Sequence, residues 1–130
     1  MRIFFSYADA ERDFARQLAE RLLGAGLDVW WDEREIVAGE NWAAALQTAL
    51  EQANAMVVLL SPDAVRSRWV RHEIDYALGT PRFAGRVVPV EVRPTDEVPW
   101  VLRSFPYVRA AGDVDQVARA VVAALKPSEN

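Results

Sequence analysis

The hydrophobic positions of the chain fall into short apolar runs separated by amphipathic stretches of helical period. Arg2 to Tyr7 (RIFFSY) reads as a first strand. Asp9 to Leu23 reads as a helix, with Phe14, Leu18 and Leu22 at i, i+4 and i+8 and with Gly24 and Gly26 to end it. Leu27 to Trp31 is a second strand, followed by a loop that contains Glu33, Arg34, Ala38 and Gly39. Trp42, Ala45, Leu46, Ala49, Leu50 and Ala53 then share one helix face. Met56 to Leu60 is wholly apolar, as a central parallel strand buried on both sides should be. Ser61-Pro62 supplies an N-cap and a first-turn proline for a third helix that runs to Leu78, where Gly79 and Pro81 stop it. Along that helix Val70, Ile74, Ala77 and Leu78 form the core stripe, with Trp69, Glu73 and Tyr76 at its margin. Val87 to Val92 is a fourth strand, in which Pro89 lacks an N–H and points to an edge or a distorted pairing. Pro99 to Ser104 is a short irregular or helical piece and Tyr107 to Arg109 a brief fifth strand. Asp113 caps a last helix with Val114, Val117, Val121, Val122 and Leu125 on one face.

Strands alternating with helices imply a parallel sheet covered by helices on both faces. The expected architecture is α/β: a flavodoxin-like three-layer sandwich around a five-stranded parallel sheet in the order 2-1-3-4-5. Ligands in that topology bind at the switch point, beside the carboxyl ends of strands 1 and 3. Ser6 to Asp9, Asp32 to Gly39, and the chain from Ser61 into the third helix are therefore the segments to examine.

Composition narrows the function. The chain has 130 residues, read as one domain over 1–126 and a polar tail or linker start over 127–130. The net charge is −4, and the arginines are interleaved with acids, as in Glu11-Arg12-Asp13, so no basic stripe exists to grip nucleic acid. Cysteine is absent, which excludes disulfides, a thiol nucleophile and cysteine-type zinc sites, and His72 is the single histidine. The longest apolar run, Ala55 to Leu60, is too short to span a bilayer, so the expected setting is the cytoplasm, without membrane contact. Five tryptophans in so short a chain leave some for recognition. A flavin-binding flavodoxin needs a phosphate loop after strand 1, but Ser6-Tyr7-Ala8-Asp9-Ala10 has no glycine. A phosphorylated receiver needs an aspartate at the end of strand 3, where Leu59-Leu60-Ser61 stands. Nucleotide-binding glycine motifs and the hydrolase elbow are also missing.

In their order and spacing, several boxes resemble TIR (Toll/interleukin-receptor/resistance) domains. Ile3-Phe4-Phe5-Ser6-Tyr7 resembles the first box. Gly26 to Asp32, running on to Gly39 and Trp42, is similar to the second strand, BB loop and following helix. Val58-Leu59-Leu60-Ser61-Pro62 with Ser67, Trp69 and Glu73 matches a strand, Ser-Pro and S-x-W-x-x-x-E pattern. Val88-Pro89-Val90 is similar to a proline-containing fourth strand, which reconciles Pro89 with a strand. Ala38 replaces a proline common in animal members and the third box is reduced to Phe105, so the resemblance is to bacterial or plant-like members.

The resemblance implies NAD+ glycohydrolysis, with Glu73 as the catalytic carboxylate and NAD+ as substrate rather than cofactor. Products would be nicotinamide with ADP-ribose or a cyclic form of it, in defence or virulence signalling. The departing nicotinamide leaves as a neutral ring and needs no general acid, so one carboxylate can suffice where ordinary glycosidases use two. On the helix phase Glu73 is half-buried against the Trp69 indole, and desolvation raises a carboxylate's pKa. Trp69 would cover the nicotinamide or ribose. Phe4 or Phe5 and Ser6 would line the floor and Asp32 the ribose side, with Tyr7, Arg34 and Gly39 as further expected substrate-binding residues. No basic pair follows strand 1, so Arg34, Arg66 or Arg68 would have to meet the diphosphate. The alternative is a non-catalytic scaffold that binds other TIR domains through the BB loop, Glu33 to Asn41; synthesis of a nucleotide-derived signal in the same pocket is a third. Outside a family context, a Trp-x-x-x-Glu pair is more often packing beside a solvated acid. Trp30, Trp31 and Trp42 are read as core or interface, and His72 as surface.

Overall fold

Strand β3 (Ala55–Leu60) organises the molecule, because all six of its residues are buried. An extended segment with apolar side chains on both faces is stable only where the sheet is covered above and below. The computed structural model describes residues 2–30, 42–110 and 113–125, with side chains from residue 47 onward in the second segment. On either side of β3 lie β1 (Arg2–Ser6) and β4 (Val87–Glu91), flanked by β2 (Asp28–Trp30) and β5 (Val108–Arg109). All pairings are parallel and the order is β2-β1-β3-β4-β5, as expected.

The pleat divides the core in two. Ile3, Phe5, Val57, Leu59, Val88 and Val90 turn to one layer, covered by α1 (Arg12–Gly24) and α5 (Val114–Leu125). Phe4, Met56, Val58 and Leu60 turn to the other, covered by α2 (Trp42–Gln52), α3 (Pro62–Arg66) and α4 (Arg68–Leu78). Ser61 caps α3 by accepting the Ala64 N–H at 3.0 Å, and Asp113 caps α5 by accepting the Gln116 N–H at 2.8 Å.

Two expectations need correction. The single helix expected from Ser61 to Leu78 is two helices, because Ser67 is extended (φ −78°, ψ 125°) and its hydroxyl accepts the Val70 N–H at 3.3 Å. A second cap restarts the helix there and resets its facing. Leu78, placed in the core stripe, is 38% exposed, whereas Glu73, placed at the margin, is only 6% exposed. The buried stripe of α4 is Val70, Glu73, Ile74 and Ala77, rotated from the expected one toward the carboxylate. Pro89, by contrast, lies in an interior strand, as the order 2-1-3-4-5 requires. In β4 the backbone groups of even-numbered residues meet β3: the Met56 N–H donates to the Arg86 carbonyl at 2.9 Å and the Val92 N–H to the Leu60 carbonyl at 2.8 Å. Pro89 therefore faces β5, whose pairing begins only at Val90 with Val108, so its missing N–H forfeits no ladder bond.

This layering predicts unequal costs for two leucines. Leu59→Ala, in β3, should lose about 2–5 kcal/mol in urea unfolding, whereas Leu78→Ala should stay within about 0.5 kcal/mol. Equal costs would contradict the assignment of Leu78 to the rim.

Candidate active site

At the carboxyl ends of β1 and β3 the apolar strands give way to two serines, Ser6 and Ser61, both without exposed surface. Ser6 closes β1 beside Val58, on the layer that also holds Phe4. Glu73 reaches this point from α4, whose start is fixed by the Ser67 cap. The Ser6 hydroxyl donates to Glu73 Oε1 at 2.6 Å, a length that falls within the roughly 2.5–2.7 Å of a charge-assisted O–H···O⁻ bond. Burial disfavours the ionised carboxylate, and a donor aimed at it favours that form. The result is a buried, hydrogen-bonded carboxyl group at a topological switch point, at the end of a largely apolar sheet.

The predicted site residues do not all meet here. Phe4 lies on the same side of the sheet as Ser6 and stacks on Trp30, with ring centroids 5.0 Å apart and planes 11° from parallel. Phe5, next along the strand, turns to the α1/α5 layer, and Tyr7 is half-buried against that layer too. Neither shares the Glu73 side, because strand neighbours point to opposite faces. Trp69, one turn before Glu73, is 51% exposed, so the half-buried carboxylate shielded by an indole is instead a buried carboxylate beside an exposed one. Arg66 is exposed and pairs with Glu97 at 3.4 Å; Arg68 is exposed. Asp32, Arg34 and Gly39, with the rest of the loop 33–41 and Trp31, lie outside the described residues, as do the tail 127–130 and the side chains of Trp42, Ala45 and Leu46. Among the described residues, no group of three or more His, Cys, Asp or Glu is arranged to hold a metal ion, and no helix is long and apolar enough to cross a membrane.

Sequence reasoning missed a second buried carboxylate, Glu11, which is 4% exposed. The Ser61 hydroxyl donates to its Oε1 at 2.6 Å, and Arg93 donates to its Oε2 at 2.8 Å and to Asp63 at 2.9 Å. Those two acceptors, Asp63 first and Glu11 second, raise the Arg93 pKa above its ordinary value. The signal for Glu11 was present: Glu11, Ala15, Leu18 and Leu22 follow helical spacing, so the acid stands on the apolar stripe rather than in a solvated charge run. On β4, Glu91 accepts a hydrogen bond from Tyr107. Burial, and then that bond, push the phenol up to about 12. A groove of about 420 Å³ between α1 and α5, lined by Arg21, Asp115, Arg119 and Val122 among others, lies on the opposite layer from Glu73.

A family model described as a TIR domain matches residues 3–125. The chain is 34% identical over 73 residues to the 2′ cyclic ADP-D-ribose synthase BtTIR of Bacteroides thetaiotaomicron, a match covering 55% of this chain and 25% of that protein. It is 30% identical over 73 residues to the NAD(+) hydrolase TcpC of Escherichia coli O6:H1, covering 55% of this chain and 24% of that one. The matches thus span about a quarter of the length of these curated relatives. Among solved structures, a metazoan TIR-STING receptor from C. gigas superposes with a TM-score of 0.78 at 24% identity, over 96% of this chain and 39% of that one. At that identity the likeness is one of fold.

The Tyr107 bond has a measurable consequence. A raised phenol pKa means that folding favours the neutral form. Its contribution to stability is complete below the ordinary tyrosine pKa of about 10 and is lost as pH climbs toward 12. Chemical unfolding across pH 9 to 12 should therefore fall more steeply for the native chain than for Tyr107→Phe. Parallel curves would show that folding does not raise the phenol's pKa.

Proposed function

The chain belongs to the TIR domain family, and from that premise we propose that it cleaves the nicotinamide–ribosyl bond of NAD+, with Glu73 as the catalytic carboxylate. The observation that carries this reading is the buried Glu73 held at 2.6 Å by Ser6 at the switch point of the sheet. Two relatives bearing the names NAD(+) hydrolase and cyclic ADP-ribose synthase support the substrate class.

The chemistry asks little of the protein. The C1′–N1 bond breaks with its electron pair passing to the pyridinium nitrogen, so nicotinamide departs neutral and without a proton. The ribosyl carbon is left cationic, and an adjacent fixed carboxylate stabilises that charge as it develops, or bonds to it for a time. Water then adds at C1′ and releases a proton, giving ADP-ribose; a hydroxyl of the same molecule in place of water gives a cyclic product. Phe4 and Trp30 support the floor beside Ser6, and Trp69, exposed one turn before Glu73, is placed to cover a flat ring. Arg66 and Arg68, with Arg34 and the loop 33–41, are the groups proposed for the diphosphate side, with Asp32 toward the ribose.

The same reading includes self-association through the loop 33–41, in the cytoplasm, within a defence or virulence response. A second reading, a non-catalytic recruiting module, draws on Trp100, which is 83% exposed, and on the exposed Trp69, since apolar surface of that size suits contact with another protein.

Nicotinamide release from NAD+ by the purified domain separates the two. Turnover should rise more than linearly with protein concentration, and Glu73→Ala should lower it by about 10²–10³-fold or more while self-association is unchanged. No release at any concentration would move the assignment to the recruiting module. Full activity in Glu73→Ala would assign the chemistry to another residue.

A further inference from the structure

Glu11 is a buried carboxylate that the proposed chemistry leaves unused. A carboxylate so withdrawn from water persists only with donors on its lone pairs. Here the donors come from the turns after the neighbouring strands. Glu11 itself follows β1 in a 3₁₀ turn (Asp9–Glu11), Ser61 follows β3, and Arg93 follows β4, where its own N–H reaches the Leu60 carbonyl at 3.4 Å.

The pattern is crosswise. Ser6, which ends β1, holds Glu73 from the helices that follow β3. Ser61, which follows β3, holds Glu11 from the turn that follows β1. Both oxygen–oxygen distances are 2.6 Å. The same two chain segments, already paired through the β1–β3 ladder, are thus also tied by side chains at two points, which restrain the helices after β3 against the β1 segment more than either tie alone. Arg93, bridging Glu11 and Asp63, adds the first turn of α3 to the second tie.

Resting on the reading of Glu73 as the catalytic carboxylate, we propose that Glu11 is its positioning residue: the Glu11–Ser61–Arg93 tie sets the approach of α3 and α4 to β1 and so keeps Glu73 on the Ser6 hydroxyl. Glu11 has no contact with the reacting atoms in this arrangement and acts only through Ser61 and Arg93.

The test uses Glu11→Gln, which keeps the side chain's shape, removes its charge and turns an NH2 group toward one of its two donors. Turnover should fall about tenfold or more with KM within about twofold. Independently of turnover, the titration of the Glu73 carboxyl followed by 13C NMR (assigned with Glu73→Gln) should move to higher pH, because a loosened Ser6 bond no longer favours the ionised form. Ser6→Ala should give the same displacement, and the double variant no more than either single one, the mark of coupled sites. Arg93→Lys, which keeps the charge but not the two-point bridge, should move Glu73 in the same direction by less, and it replaces Glu11→Gln if that variant does not fold. A Glu73 titration unmoved in these variants, or losses that add in the double variant, would overturn the proposal. If the native chain released no nicotinamide while the titration moved as described, the enzymatic reading would fall and the positioning would stand.

Discussion

A carboxylate taken out of water must find donors or give up its charge, and two buried carboxylates of this chain meet that demand in the same small region. The strands of the sheet are apolar where they are covered, so the hydroxyls available to them are the serines at the carboxyl ends of β1 and β3. Each serine donates its hydroxyl to a glutamate carried by the segment that follows the other strand. Had both glutamates been satisfied within their own segments, the two βα units would be linked by the β1–β3 ladder and by packing, without side-chain ties at the end of the sheet. The exchange makes the switch point the polar, anchored end of the sheet, the end at which proteins of this topology commonly bind ligands.

The elements whose information is local were legible from the chain. β3 is announced by its apolar run, α3 by Ser61-Pro62, α5 by Asp113, and the parallel order by the alternation of strands and helices. Features that depend on competition between neighbours were less so. Ser67 is a modest helix residue in isolation, and only the Val70 N–H awaiting a partner makes it a cap. That single break rotates the buried stripe of α4, which is why Leu78 is exposed and Glu73 buried. Pro89 alone reads as an edge signal, and only the register shows which side of β4 it faces. Glu11 had the right spacing for a core position but the wrong chemistry, and charge outweighed period in the reading. Glu73, the carboxylate proposed as catalytic, is singled out by the sequence; its depth, its serine partner and the second glutamate are not, because they come from long-range contacts.

An apolar sheet ending in a buried, hydrogen-bonded carboxyl group suits the proposed reaction, whose main difficulty is a transient positive centre. On the proposed reading the nicotinamide is already cationic before it leaves, so the site would need a fixed negative charge and a cover over the ring more than a proton donor. The crosswise ties supply the first. On the same reading, exposed Trp69 would supply the second.

The most direct measurement is a crystal structure of the domain with an uncleavable NAD+ analogue. The account predicts the nicotinamide-ribose over Ser6 and Phe4, with the anomeric carbon about 3.5 Å from the Glu73 carboxylate and the bond from Ser6 intact. An analogue bound elsewhere, for example in the groove between α1 and α5, with Glu73 untouched, would contradict it.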